Sequence, residues 1–256
     1  GDIVRQVNAE LSDGCNEVWL TSTDNGCYGF DIDSDLPELV HTVSEIPQKF
    51  FIRVGMMNPM YMPRIRDGLL KSFESTKVFK FLHIPVQSGS DKVLNDMKRG
   101  HTAQTFRDVT NHFRNKFEKF TISTDVIVGF PTETVDDFEQ TLQLLQETKP
   151  DIVNLSRYSR RPGTDAAEMK QIDVAEVKRR SKIAYELITK ISNENNRKWI
   201  GWEGHVIFDE EYEGQIRGRN FAYKPIFVKE MPKIGQILNV RITDATNHSL
   251  IGKIIS

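Results

Sequence analysis

Thr124-Asp125-Val126-Ile127-Val128-Gly129-Phe130-Pro131-Thr132-Glu133-Thr134 sets the Asp125 carboxylate inside an apolar, β-branched run and closes that run with a Gly-aromatic-Pro turn. Runs of this kind form buried strands, and Thr134 followed by Asp137 opens a helix with a Thr-x-x-Asp start. Strand, turn and helix in that order make one unit of a parallel α/β sheet. A buried charge needs a partner. Asp125 is therefore a candidate to accept a hydrogen bond from a ligand amine, with the Gly129 edge open to a planar base and Phe130 placed to stack on it. Core packing is the competing reading for Phe130.

The same alternation extends in both directions. Strands are expected at 17–22, 50–54, 78–86, 121–128 and 152–156, and helices at 36–43, 63–72, 92–97, 103–117 and 134–147. Ile3, Val7 and Leu11 share one helical face, so the chain opens inside a helix and is expected to have lost what preceded it. Right-handed crossovers bring neighbouring strands together, which makes residues 1–172 an α/β domain, most of a TIM-like (β/α) barrel. Residues 173–198 read as a linker helix capped by Asp173, with Val177, Ala184, Ile188 and Ile191 on one face. Lys178, Arg179, Arg180 and Lys182 line the other face, either solvated or touching RNA. From 199 to 256 short strands, among them 205–208, 226–228 and 237–242, alternate with Gly and Pro turns. That pattern predicts a small all-β, OB-like barrel.

The 256 residues are 38% hydrophobic and 27% charged, which suffices for one large core and one small one. A net charge of -2 and a pI near 6.4 exclude coating nucleic acid by bulk charge and leave room for a local basic patch. No apolar run is long enough to span a bilayer, and Gly1-Asp2-Ile3-Val4 lacks a basic-then-apolar signal pattern. A cytoplasmic protein without a membrane partner is expected. Cys15 and Cys27 stand outside any C-x-x-C arrangement, so neither a disulfide framework nor a metal site is read from them.

In parallel barrels the reactive groups gather at the carboxyl ends of the strands. After Trp19-Leu20 comes Thr21-Ser22-Thr23-Asp24-Asn25-Gly26, which either binds a polar cofactor, Thr21 and Ser22 foremost, or simply turns. After Arg53-Val54 comes Gly55-Met56-Met57-Asn58-Pro59, where Gly55 permits close approach of a ligand and the methionines form a soft wall or part of the core. His83-Ile84-Pro85-Val86-Gln87-Ser88-Gly89-Ser90-Asp91 carries a proline within a strand, which removes a ladder donor and calls for a local reason. Gln87, Ser88 and Gly89 then face a helix N-terminus suited to a carboxylate or phosphate, and Arg99 returns a cation. His83 and His101 lean toward structural roles.

These strand ends, in this order, resemble the MiaB-type methylthiotransferases, a radical S-adenosylmethionine family. The likeness rests on Leu20 to Gly29, on His83 to Ser90 as H-x-P-V-Q-S-G-S, on Met97-Lys98-Arg99-Gly100, on Thr124 to Thr134 as T-D-x-I-V-G-F-P-x-E-T, and on Tyr158 to Thr164 as Y-S-x-R-P-G-T. The tail resembles a TRAM domain through Gly214 to Asn220, Gly235 to Thr243 and Leu250-Ile251-Gly252. Gly55 to Pro59 and the Thr-Ser-x-Asp loop look like the archaeal and eukaryotic branch.

The resemblance implies a tRNA methylthiotransferase that adds a methylthio group to C2 of N6-threonylcarbamoyladenosine beside the anticodon. It further implies S-adenosyl-L-methionine, two 4Fe-4S clusters, a reductant, a sulfur source and the tRNA anticodon stem-loop as cofactors and partners. The family's C-x-x-x-C-x-x-C loop and a second cysteine set are absent from this sequence, so an inactive fragment lacking the first strand and cluster loop is expected. Thr21, Ser22, Arg53, Gln87, Ser88, Arg99, Asp125 and Gly129 are expected at the cofactor, and Arg217, Arg219, Asn220, Phe221 and Tyr223 at the RNA. No catalytic residue and no metal ligand is assigned. Rival readings are the same chemistry on a ribosomal-protein aspartate, a non-catalytic RNA-binding protein, and an unrelated barrel enzyme for a phosphorylated metabolite.

Overall fold

A computed structural model describes residues 1–255. Five βα units come first. They run α1 (Asp2–Ser12), β1 (Glu17–Leu20), α2 (Leu36–Ser44), β2 (Phe51–Val54), α3 (Met62–Ser72), β3 (Phe81–His83), α4 (Asp91–Asp96), α5 (Ala103–Lys116), β4 (Thr121–Val128), α6 (Val135–Thr148) and β5 (Ile152–Arg157). The short α7 (Asp165–Glu168) and the long α8 (Val174–Arg197) follow, and then β6 (Glu203–Tyr212), β7 (Gln215–Arg219), β8 (Pro225–Val228), β9 (Ile237–Ala245) and β10 (Leu250–Ile254). The helix starts obey their sequence signals: Thr134 and Asp137 form a capping box on α6, and Asp173 accepts from the backbone of Ala175 and Glu176 at the head of α8.

All five N-terminal strands are parallel, in chain order. β1 pairs with β2, β4 sits between β3 and β5, and a single bridge from Ile52 to Val78 joins the two sets. Alternation then sorts the side chains. Ile52, Val54, Leu82, Ile122, Val126 and Val128 lie buried toward the helices, while Trp19, Arg53, Phe81, His83, Asp125 and Asn154 face the lumen of a partial barrel.

The strand expected over 78–86 is broken, with three residues in regular pairing. Two causes lie in its backbone. The Lys80 amide turns away from the sheet and donates to the Phe221 carbonyl at 2.7 Å. Pro85 has no amide to give, and Thr124 repairs the gap: its hydroxyl donates to the Ile84 carbonyl at 2.8 Å and accepts from the Val86 amide at 3.0 Å.

Strands β6 to β10 close into a barrel of order β10-β8-β7-β6-β9, with Val206, Phe208, Ile226, Val240, Ile242 and Leu250 as its core. Helix α8 buries Ala184, Ile188 and Ile191 as its periodicity requires. Its basic face is not uniform. Lys178, Arg179 and Lys182 are exposed, but Arg180 turns inward, because the N-terminus of α6 presents the fully buried Glu133 carboxylate to it at 2.7 Å. The small barrel is seated against the lower end of the parallel one. Tyr223 packs on Phe79 and Phe81, and the buried Lys224 ammonium donates to Asp151 at 2.8 Å and Asn196 at 3.0 Å.

Candidate functional site

His83 at the carboxyl end of β3, Asp125 midway along β4 and Asn154 midway along β5 bring three polar side chains into contact in the lumen. His83 Nε2 lies 3.1 Å from Asp125 Oδ1, and the Asn154 amide donates to that same oxygen at 2.7 Å. One carboxylate oxygen is held from both sides; the other is left to the half-exposed lumen. Burial pushes the Asp125 carboxyl up, but the hydrogen bonds from His83 and Asn154 and the nearby Arg99 charge outweigh it, so the group lies below the usual carboxylate range. A fixed anion in the lumen can receive an ammonium, amide or hydroxyl donor.

Gln87 stands beside it in a strained conformation. Its φ of 70 belongs to the left-handed region, which a non-glycine residue rarely adopts. Its backbone clamps β4, donating to the Asp125 carbonyl at 2.8 Å and accepting from the Ile127 amide at 2.9 Å. The side-chain Oε1 is buried without a partner, and so are Arg99 Nε and His101 Nδ1. Unpaired buried polar atoms are costly, and three of them between Gln87 and His101 make this loop a candidate ligand site. His101 itself is structural at its other nitrogen, which meets the Val86 carbonyl at 3.2 Å; burial pushes its pKa down.

Several expected contacts are used up by the protein itself. The Ser88 hydroxyl is fully buried against Thr141, the Gly89 amide donates to Thr141 Oγ1 at 2.9 Å, and Ser90 donates to Asp137 at 2.6 Å. The turn thus packs on α6 rather than offering open amides to a phosphate. A Cβ at Gly89 would lie 2.5 Å from the Gln140 carbonyl oxygen, which explains the glycine. Gly129 is likewise not an open edge. Its amide donates to Glu133 at 2.8 Å, and a Cβ there would meet Val177 at 2.7 Å. Phe130 is buried against Tyr158, as core packing requires. Gly55 makes room for Asn25 and the Leu20 carbonyl rather than for a ligand, and Met57 is wholly buried. Thr21 and Ser22 are exposed at the end of β1, above a loop fixed by Asn25, which donates to the Met56 carbonyl at 2.8 Å.

The residues expected at RNA mostly face inward. Asn220 is buried and its side chain accepts from the Ala222 and Lys224 amides at 3.1 Å, shaping a turn. Tyr223 is buried between the two barrels, and Arg219 lies 4.5 Å over its ring and 3.7 Å from Asp209. Arg217 pairs with Glu210 and lies over Tyr212 at 4.7 Å. Phe221 keeps partial exposure on top of Trp199 and Trp202. Docking of the small barrel onto the lumen floor accounts for this, because the hairpin after β7 is the docking element. Burial drives the Asp209 carboxyl there up to about 7; Arg219 lowers it and Glu17 raises it further.

Asn154, Glu133, Arg180 and Asp209 were not singled out as site residues by sequence. Asn154 carried a signal, a lone amide at a lumen position of an apolar strand; the other three depend on contacts between distant elements.

Two family models match this chain, one over most of the parallel barrel and one over the small closed barrel. The family model of the Radical SAM superfamily matches residues 1–145, and that of the TRAM domain matches residues 206–255. The chain belongs to the Radical SAM superfamily and carries a TRAM domain. Among curated relatives, it is 42% identical over 257 residues to a probable threonylcarbamoyladenosine tRNA methylthiotransferase of Archaeoglobus fulgidus, covering 98% of this chain and 59% of that one. A threonylcarbamoyladenosine tRNA methylthiotransferase of Drosophila melanogaster is 37% identical, with 99% of this chain and 46% of the relative covered. The chain therefore spans roughly half to three fifths of these relatives' length. Two solved structures share the fold: the radical S-adenosylmethionine methyltransferase TsrM of Kitasatospora setae and coproporphyrinogen III oxidase of Escherichia coli. The first has a TM-score of 0.51 at 12% identity, over 64% of this chain and 30% of that one. The second has a TM-score of 0.50 at 15% identity, over 83% and 54%.

Proposed function

We propose that this chain carries part of the catalytic barrel and the TRAM domain of a tRNA methylthiotransferase. The reaction is addition of a methylthio group to C2 of N6-threonylcarbamoyladenosine beside the anticodon. The observation that carries this reading is identity of 37 to 42%, over nearly the whole chain, to archaeal and animal proteins bearing that name. The polar strand ends support it against a non-catalytic RNA binder. A cytoplasmic location and an anticodon stem-loop partner belong to the same proposal, as do a reductant and a sulfur source; no helix among the described residues is long and apolar enough to cross a membrane.

The mouth of the barrel fits S-adenosyl-L-methionine, which carries an ammonium, a carboxylate and a ribose. Asp125, held by His83 and Asn154, would accept from a donor on the ligand, Gln87 Oε1 would accept a second, and Arg99 would meet an anion. The chemistry that this cofactor supplies when bound is radical hydrogen abstraction and methyl donation. The protein's part is to hold the donor and acceptor groups rigid. The residues present do not fit an iron–sulfur cluster: Cys15 and Cys27 are both exposed, and no group of three or more metal-ligating side chains occurs among the described residues. Both clusters of the proposed enzyme are accordingly assigned to parts of the full-length protein outside this chain.

The test is nucleoside mass analysis after incubating reconstituted full-length protein with threonylcarbamoyl-modified anticodon stem-loop, S-adenosylmethionine, sulfide and reductant. A product heavier by a methylthio group is expected. Product on a ribosomal-protein aspartate and none on RNA would overturn the assignment in favour of its protein-modifying rival.

A further inference from the structure

Arg53 lies in the lumen one layer below the strand ends. Its β2 neighbours Ile52 and Val54 are buried toward the helices, so its own side chain projects to the other face. The guanidinium lies 4.6 Å over the ring of Trp19 and 5.1 Å from the rings of Phe81 and Tyr223. Three aromatic faces hold the fork in place without using its in-plane donors. Its Nε is buried with no partner. Each carboxylate nearby commits one oxygen to the chain, Glu17 Oε1 accepting from the Trp19 indole and Asp209 Oδ2 facing Arg219, while Glu17 Oε2 and Asp209 Oδ1 are buried without a partner and make no hydrogen bond to Arg53. A half-buried guanidinium left unpaired is unfavourable unless an anion completes it, and a carboxylate is the planar anion that the fork matches. Trp19, 55% exposed beside it, offers a flat apolar surface to a base.

The proposed reaction needs two adenosine-bearing ligands in contact. The first set of recognition groups, His83, Asp125 and Asn154, begins two residues further along β3 than Phe81, about 7 Å toward the mouth. The Arg53 layer lies apart from those groups and is assigned to the second ligand. We propose that Arg53 is the specificity-determining residue for the nucleoside substrate, its guanidinium receiving the carboxylate of the threonylcarbamoyl group while the base rests against Trp19. The assignment rests on the methylthiotransferase reading and adds to it a reason why the modified nucleoside is chosen: an unmodified adenosine leaves the guanidinium unpaired.

The experiment compares wild type, Arg53→Lys and Arg53→Met of the full-length reconstituted protein. Three stem-loops are used: the threonylcarbamoyl acid, the same group as its primary amide, and unmodified adenosine. Fluorescence anisotropy reads stem-loop affinity, nucleoside mass analysis reads kcat/KM, and titration reads the S-adenosylmethionine Kd, with iron content and thermal midpoint as controls. Wild type is expected to favour the acid over the amide. Arg53→Met should erase that preference and lower affinity for the acid about 10- to 100-fold, the size of a charged hydrogen-bond pair, leaving the cofactor Kd within about twofold. Arg53→Lys should fall between. Because the acid-to-amide ratio is internal to each variant, partial unfolding does not move it. An unchanged ratio in Arg53→Met overturns the assignment, as does a loss confined to cofactor affinity, which would give Arg53 to the cofactor's own carboxylate. Failure of wild type to modify any stem-loop defeats the methylthiotransferase reading itself, whereas the first two results defeat this assignment alone.

Discussion

The contact between α6 and α8 and the mouth of the barrel are built from the same residue types, yet they do opposite things. At the contact, Arg180 donates to the Glu133 carboxylate, to the carbonyls of Glu133 and Thr134, and to Glu176. At the mouth, Arg99 Nε and Gln87 Oε1 are buried and have no partner. The Arg180 guanidinium has its partners supplied by the chain and is architecture, although Glu133 Oε1 beside it is left without one; the unpartnered atoms at the mouth make that loop the candidate ligand site.

The largest effect is expected at the Arg180 contact. Arg180→Met strands the Glu133 carboxylate, and loss of one partner from a buried pair costs about 3–5 kcal/mol, read as a lower midpoint in denaturant unfolding. A loss below about 1 kcal/mol would break the comparison. Gly129→Ala comes next: a residue with a φ of 79 gains a Cβ against Val177, and about 1–3 kcal/mol of destabilisation is expected in the same assay.

A third prediction concerns the docking floor. The folded Asp209 carboxyl titrates at about 7, above its ordinary value of 3.8, so the folded state binds this proton more tightly than the unfolded chain does. Its contribution to stability is therefore full below the ordinary value and is lost as pH rises toward 7. Thermal midpoints across this window should show that slope in wild type and a weaker one in Asp209→Asn; equal slopes would remove Asp209 from the account.

The smallest stability effects belong at the mouth. Arg99→Met and Gln87→Gly should each change stability by less than about 1 kcal/mol, the second because glycine relieves the left-handed backbone. Each should nonetheless weaken S-adenosylmethionine binding by about tenfold, the worth of one hydrogen bond to a charged group. A variant that unfolds without losing affinity would move its residue into the architectural class.

Much of this organisation is legible in the chain itself. Periodicity places nearly every helix and strand, because apolar side chains of an α/β layer repeat where the helices pack, and Asp125 stands out as a charge in an apolar strand. Local pattern fails where distant segments meet. Arg180 reads as one base among four until Glu133 is known to lie opposite. The hairpin from Arg217 to Tyr223 reads as an RNA surface because its arginines and aromatics suit one, and nothing local announces that Lys80 and Asp151 receive its other side. Gly129 reads as a ligand edge for the same reason, since Val177 reaches it from another helix. Pro85 announces a break in β3, while the repair by Thr124 becomes visible only in three dimensions.

The most direct test of the central claim, that the barrel mouth is a ligand site and not an internal contact, is calorimetric titration of S-adenosylmethionine into full-length reconstituted wild type and Asp125→Asn. The amide keeps an oxygen for His83 and Asn154 but loses the charge. Affinity should fall about tenfold or more, while the thermal midpoint falls by no more than a few degrees from loss of the stabilised charge. Unchanged affinity, or a loss that merely follows a collapsed midpoint, would contradict the claim.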